Sequence, residues 1–174
     1  MNASKTTAPN FRKAVPAGED RERDVCGHCG FIDYKNPKIV VGSVLSFEGK
    51  ILLCRRAIEP RKGYWTIPAG YLELGEAVED GARREAYEEA RVNPVLDRVL
   101  AVYSVPRISQ VQIMFRGRLA GPDFAPGPES LEVALFEWAD IPWPDIAFPS
   151  AVWALRHWKD VEGRDAFPAF GNPA

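Results

Sequence analysis

The stretch EAVEDGARREAYEEAR, residues 76–91, reads as a helix stopped by Asn93-Pro94, and its charge pattern limits what the chain can become. Glu85, Glu88 and Glu89 stand at i, i+3 and i+4, so they share one helix face. Carboxylates held that close repel one another and cost stability unless cations offset them. Arg84 brings one guanidinium against these acids. A hard divalent ion such as Mg2+ prefers oxygen ligands and would resolve the conflict. Glu73 and Glu76 add oxygens near the expected helix start, where negative charge is favoured. Pro68-Ala69-Gly70 reads as a loop whose glycine would let backbone approach an ion closely. The bland reading of the same segment is a solvated helix laced with Glu–Arg pairs.

The rest of the chain supplies a core for this helix. It has 174 residues, 46% of them hydrophobic, enough for one domain with a small appendage. KIVVGSVLSF and KILLCRR are β-rich runs joined by Glu48-Gly49, the signature of a tight hairpin. VLDRVLAVYSV, VQIMFRGRLA and LEVALFEW read as further strands. In the second of these, Val111, Ile113 and Phe115 alternate with Gln112, Met114 and Arg116. PSAVWALRHWKD is an amphipathic helix with Ala151, Leu155 and Trp158 on one face. Strands and helices are interspersed, which predicts an α/β fold with a mixed sheet flanked by helices. Residues 1–24 are polar and read as mobile or loosely docked, and GRDAFPAFGNPA as a tail.

Composition removes several function classes. A net charge of −2 and a pI near 5.8 argue against nucleic-acid binding by bulk electrostatics, so no nucleic-acid partner is expected. No apolar run approaches the roughly 18 residues of a membrane helix. The N-terminus lacks the apolar core of a secretory signal. Three cysteines, an odd number, make no disulfide framework, and a cytoplasmic location is the expectation.

Gly70, five residues, Glu76, seven residues and then Arg84-Glu85-Ala86-Tyr87-Glu88-Glu89 make a longer pattern, which resembles the Nudix box. Ala86 and Val92 fill its apolar positions. One position departs: Arg91 stands where the family has a glycine that ends the helix in a left-handed conformation. A non-glycine there costs on the order of 1 kcal/mol, and Asn93-Pro94 is expected to end the helix instead. NPKIVVGSVL, ILLCRRAIEPRKGYWTIPAGYLELGE, ESLEVALFEW and IPWPDIAFPS extend the likeness over roughly residues 24–160. They resemble a Nudix branch with an N-terminal zinc-ribbon-like segment, some members of which are ADP-ribose or FAD pyrophosphatases.

The resemblance implies a Nudix fold, an α/β/α sandwich on a mixed β-sheet with a short N-terminal ribbon-like segment. The expected boundaries are a flexible segment at 1–24, a partial ribbon at 25–37, the Nudix domain at 38–160 and a tail at 161–174. It also implies Mg2+- or Mn2+-dependent hydrolysis of the pyrophosphate in a nucleoside diphosphate linked to another moiety, FAD or ADP-ribose first, releasing AMP. By that likeness Glu88 and Glu89 ligate metal most directly. Glu85 ligates or orients the water, the Gly70 carbonyl completes a shell, and Arg84 holds a carboxylate in place. Glu76 is structural. NADH and dinucleoside polyphosphates are alternative substrates. A non-catalytic nucleotide-binding regulator is the alternative class, disfavoured because every acid of the box is present. A homodimer is a family-level expectation.

Outside the box, a general base must reach the attacking water. GPESLEV offers Glu129 first and Glu132 next, against the alternative that both are surface acids at a strand start. Arg55, Arg56 and Arg61 are candidates for phosphate binding, against plain surface charge on a hairpin. Trp65 and Tyr71 could stack on a base, though such residues are more often core. Arg107 and Gln110 are polar residues on a stretch expected to face the site. Cys26-Gly27-His28-Cys29 has the C-x2-C spacing of a zinc knuckle. Structural Zn2+ takes four ligands, and no Cys or His precedes Asp24. Either the zinc is lost and the fold persists, or a partner chain supplies the missing ligands.

Overall fold

A computed structural model describes residues 10–173, and the chain divides into two units at residues 36 and 37. The first unit is a three-stranded antiparallel sheet of β1 (Phe11–Ala14), β2 (Arg23–Cys26) and β3 (Ile32–Asp33), in that order. The stretch expected to be loosely docked therefore carries two strands, and residues 1–9 lie outside the described part. Ion pairs hold this small sheet where apolar area is scarce. The Asp24 carboxylate accepts from Lys13 at 2.8 Å and from Lys35, and Glu19 accepts from Arg23 at 2.8 Å and from the Tyr34 hydroxyl at 2.5 Å.

The second unit begins with the hairpin of β4 (Lys38–Phe47) and β5 (Lys50–Arg56). Glu48 and Gly49 between them have φ of 49° and 80°, the positive pair that a two-residue turn of matching twist requires. Short strands β6 (Trp65–Thr66) and β7 (Ala69–Tyr71) follow, then helix α1 (Val78–Ala90). After α1 come β8 (Val95–Val105), β9 (Gln110–Arg118), β10 (Ser130–Phe136) and helix α2 (Pro149–Asp160). The sheet order is β10-β5-β4-β9-β8, with β6 on β5 and β7 on β4. Only β4 and β9 run parallel among these pairs, so the sheet is mixed as expected.

The period of two along each strand decides which helix covers which face. Leu45, Leu52 and Cys54 pack with Ala86 and Ala90 of α1, and Val41 and Phe115 with Ala82. The alternate residues Val44, Ile51, Leu53 and Met114 pack with Ala151, Leu155 and Trp158 of α2. This is the α/β/α sandwich. It also explains why the alternation in β9 is not polar-out: Gln112 and Met114 are buried, because a helix covers each face.

Four local expectations change. Pro68-Ala69-Gly70 is not a free loop, since Gly70 pairs with Val41 in the sheet. The helix starts at Val78 rather than at residue 76. Arg91 itself takes the left-handed cap, with φ 59° and its N–H on the Tyr87 carbonyl, so Asn93-Pro94 does not end the helix. Within residues 161–173 the chain packs back on the sheet rather than trailing as a tail. The Phe170 N–H donates to the Leu100 carbonyl and its carbonyl accepts from Val102, each at 2.9 Å, which lines the open edge of β8.

Candidate active site

Helix α1 lies across β4 and β7, and the small residues of its buried face bring the backbone close. At Gly70 the contact is tight: a Cβ there would stand 2.4 Å from the Glu85 carboxylate and would displace it. Gly81 is also close-packed, with a Cβ falling 2.8 Å from Glu76 and Leu72. The glycine of the sequence pattern thus serves close approach, not only flexibility.

Arg84 organises the acids. Its Nε and Nη2 donate to the two Glu76 oxygens at 2.8 and 3.2 Å. Nη1 donates to Glu85 Oε1 at 2.8 Å and Glu88 Oε2 at 3.0 Å, and Nη2 also donates to the Tyr71 carbonyl at 2.9 Å. Glu76 in turn accepts from the Glu73 N–H at 3.0 Å. Its carboxyl is held below the usual range by Arg84 and that N–H. Glu76 is therefore a brace that ties the turn before α1 to the guanidinium.

Glu85 and Glu89 are buried, while Glu88 is exposed. Burial pushes the Glu85 carboxyl up, partly opposed by Arg84. Burial pushes Glu89 up further, to about 8, with the Glu85 charge adding to it and Arg56 and the Ala69 N–H opposing it. Glu89 Oε2 is buried with no hydrogen-bond partner. A buried carboxylate oxygen without a partner is costly, and a hard cation is the group that offsets such a cost. Hard oxygen donors at Glu85, Glu88 and Glu89 suit Mg2+ or Mn2+. Among the described residues no group of three acid, Cys or His side chains is already gathered in the geometry of a metal site.

The loop before β10 brings in the next acid. Gly127 N–H donates to the Glu89 carbonyl and Ala125 N–H to the Ala90 carbonyl, each at 3.0 Å, satisfying carbonyls that a helix end leaves open. The Ala57 N–H holds the Glu129 carbonyl at 2.8 Å. Glu129, exposed, is close enough for its charge to act on both Glu85 and Glu89. Glu132 is turned to Arg55, 3.5 Å away, with which it is paired in register on β5. Of Arg55, Arg56 and Arg61, Arg56 is the one whose charge acts on Glu89; its Nε donates to Pro60 and its guanidinium lies 5.1 Å over the Phe148 ring. Arg55 donates to Gly63, and Arg61 lies over Tyr64.

Of the aromatic candidates, Trp65 packs edge-on against Phe136 at 4.9 Å, a core contact. Tyr71 is exposed, with Lys38 over its ring at 5.0 Å. Its hydroxyl accepts from Gln110, whose own carbonyl accepts from Gln112. Gln112 Oε1 is buried and unpartnered, so this polar line ends in a free acceptor. Sequence reasoning missed Gln112 and Gly127. A glutamine flanked by apolar residues in a strand is the signal for the first; nothing local marks the second. Arg107 sits exposed in the turn between β8 and β9.

The sequence profile of the NUDIX domain matches residues 35–157. The chain belongs to the Nudix family. A second profile, that of the zinc ribbon N-terminal to Nudix domains, matches residues 8–35. A crystal structure of a NUDIX hydrolase from Nitrosomonas europaea is 41% identical, with a TM-score of 0.88 and 99% of each chain covered. A protein named ADP-ribose pyrophosphatase from Methanocaldococcus jannaschii is 32% identical over 131 residues, 73% of this chain and 78% of the relative. A protein named NAD-capped RNA hydrolase NudC from Edwardsiella ictaluri is 30% identical over 120 residues, 68% of this chain but 46% of that relative. This chain is a Nudix hydrolase, with the acids of the box assembled as described.

Proposed function

We propose that this Nudix hydrolase cleaves the pyrophosphate of a nucleoside diphosphate linked to another moiety, with ADP-ribose as the first candidate and FAD as the second, releasing AMP. The observation that carries the reading is Glu89: a buried carboxylate with an unpartnered oxygen, beside Glu85 and under the charge of Arg56 and Glu129. The likeness to a relative named ADP-ribose pyrophosphatase, across most of both chains, supports the substrate class. The likeness to a protein named NAD-capped RNA hydrolase NudC favours the pyrophosphate of an NAD moiety as a separate, second reading.

A bound Mg2+ or Mn2+ neutralises phosphate oxygens and lowers the pKa of an attacking water. Glu85, Glu88 and Glu89 are the residues that would hold it, with the Gly70 carbonyl beside them. Arg84 fixes the rotamers of Glu85 and Glu88, so their orientation is set before substrate arrives. Glu129 takes the proton of the attacking water, and its loop is tied to α1 and to Ala57. Arg56 faces the anionic leaving half. Glu132 is occupied by Arg55 and serves as surface charge.

The test is AMP release from ADP-ribose, FAD, NADH and diadenosine polyphosphates with Mg2+ or Mn2+. Turnover of ADP-ribose or FAD that disappears in Glu88→Gln is the expected result. Turnover of NADH alone would move the assignment to the second reading, and no turnover with either metal would overturn it. Glu129→Gln should lower kcat by roughly 100-fold or more, the usual scale of a lost base. Glu132→Gln should change it little, and equal losses in both would remove Glu129 from the role.

A further inference from the structure

The family profile over residues 8–35 implies a zinc ion in the N-terminal ribbon, and the residues present do not fit one. Structural zinc takes four ligands in a tetrahedron. Cys26 and Cys29 provide two, no Cys or His precedes them, and among the described residues no third group joins them. The ribbon is stapled instead by Asp24 between Lys13 and Lys35, and by Glu19 between Arg23 and Tyr34. The two thiols are thus left without a structural task, yet the turn that would have gathered them around a metal is intact.

We propose that Cys26 and Cys29 are a redox-active dithiol that closes to a disulfide by exchange with low-molecular-weight disulfides. Three features of the turn carry this. Cys26 N–H donates to the Phe31 carbonyl at 2.7 Å and Gly30 N–H to the Cys26 carbonyl at 2.9 Å, which folds residue 29 back over residue 26. Gly30, at φ 75°, permits that closure. The Cys29 side chain lies near enough to act on the Cys26 thiol. The backbone of Cys29 first, and then that of His28, holds the Cys26 thiol below its ordinary value, which favours the thiolate. Cys29 is exposed and Cys26 half-buried. Cys54 is the internal contrast: it is 1% exposed, and burial pushes its thiol well up.

The exchange runs in two steps. The Cys26 thiolate attacks one sulfur of the external disulfide, forming a mixed disulfide and releasing one external thiolate. Cys29 then loses its proton to solvent and attacks the Cys26 sulfur, forming the Cys26–Cys29 bond and releasing the second thiolate. Two protein thiols are oxidised and one external disulfide is reduced to two thiols, so electrons balance.

The experiment treats the whole protein with oxidised and reduced glutathione at graded ratios, then alkylates and measures mass by peptide. The expected product is protein lighter by two hydrogens, both lost from the peptide of Cys26 and Cys29, with Cys54 alkylated after unfolding. Cys29→Ser should trap one glutathione on Cys26, and Cys26→Ser should react at least tenfold more slowly, as loss of the activated thiolate predicts. Metal analysis of the untreated protein gives the counter-test. One zinc per chain or per pair of chains, protecting both thiols from glutathione, would overturn the proposal. So would glutathione retained on Cys26 in the native sequence without closure.

Discussion

Glu89 is the residue at which structure and chemistry pull hardest against each other. Its carboxyl is 5% exposed and is moved from the ordinary 4.5 to about 8, by burial first and by the Glu85 charge second. A carboxyl whose folded value is raised stabilises the fold fully only below the unfolded value. That contribution is lost as pH rises from about 4.5 through about 8. The metal-free protein should therefore lose thermal stability across that window, and Glu89→Gln should flatten the loss. Thermal unfolding in EDTA at pH 5 and pH 8 checks this. The expected result is a Tm advantage of several degrees for Glu89→Gln at pH 8 and little difference at pH 5. An equal slope in both proteins would mean that Glu89 ionises without cost. Adding Mg2+ to the native protein should raise Tm more at pH 8 than at pH 6, because the ion competes with a proton for the same oxygen.

At the scale of elements, helix α1 is tied on one side to the segment just before it and at its C-terminal end to a loop far away in sequence. Its N-terminal side is tied by Arg84 to Glu76 and Tyr71. Its C-terminal end is closed twice. Arg91 takes the left-handed cap, a strain of about 1 kcal/mol for a non-glycine, and Gly127 and Ala125 donate to the Glu89 and Ala90 carbonyls. Gly127 has no room for more: a Cβ would fall 1.6 Å from the Glu88 carbonyl oxygen. That atom is backbone, so the loop must move. Gly127→Ala should cost about 1–3 kcal/mol, the scale of overpacking. It should also lower kcat at least tenfold with a smaller change in KM, because the displaced loop carries Glu129. Denaturant unfolding and steady-state kinetics with the substrate found by AMP release measure both. A stability loss with kcat intact would separate the loop anchor from the base.

At the scale of the whole molecule, the second unit closes its own sheet edge. Phe170 pairs with β8, stacks on His157 at 4.1 Å, and is followed by Asn172, whose amide exchanges two hydrogen bonds of 2.8 Å with the Ser104 backbone. Phe167 lies under Arg116 at 4.6 Å. Deleting residues 167–174 should lower Tm, since burying one aromatic ring contributes roughly 1.5–3 kcal/mol. It should also raise light scattering on heating, because an uncovered edge strand pairs with other chains. Unchanged Tm and scattering would show that the edge needs no cover. The α1 acids were legible in the chain because helical period is local: spacings of three and four put Glu85, Glu88 and Glu89 on one face whatever lies beneath. The hairpin at Glu48-Gly49 and the buried face of α2 were legible for the same reason. Arg56 was visible only as one candidate among equals, beside Arg55 and Arg61, and Glu129 only as the preferred of two acids, ahead of Glu132. Strand register turned Glu132 to Arg55 and left Glu129 by the acids. Gly127 against Glu88, Gln112 with its free acceptor and Phe170 on β8 are contacts between distant segments. The sequence by itself determined which side chains each element presents, since that follows from backbone period. Only the tertiary structure decided which of them meet, which are desolvated and so which carboxyl is pushed above its ordinary pKa, since those depend on what packs across the sheet.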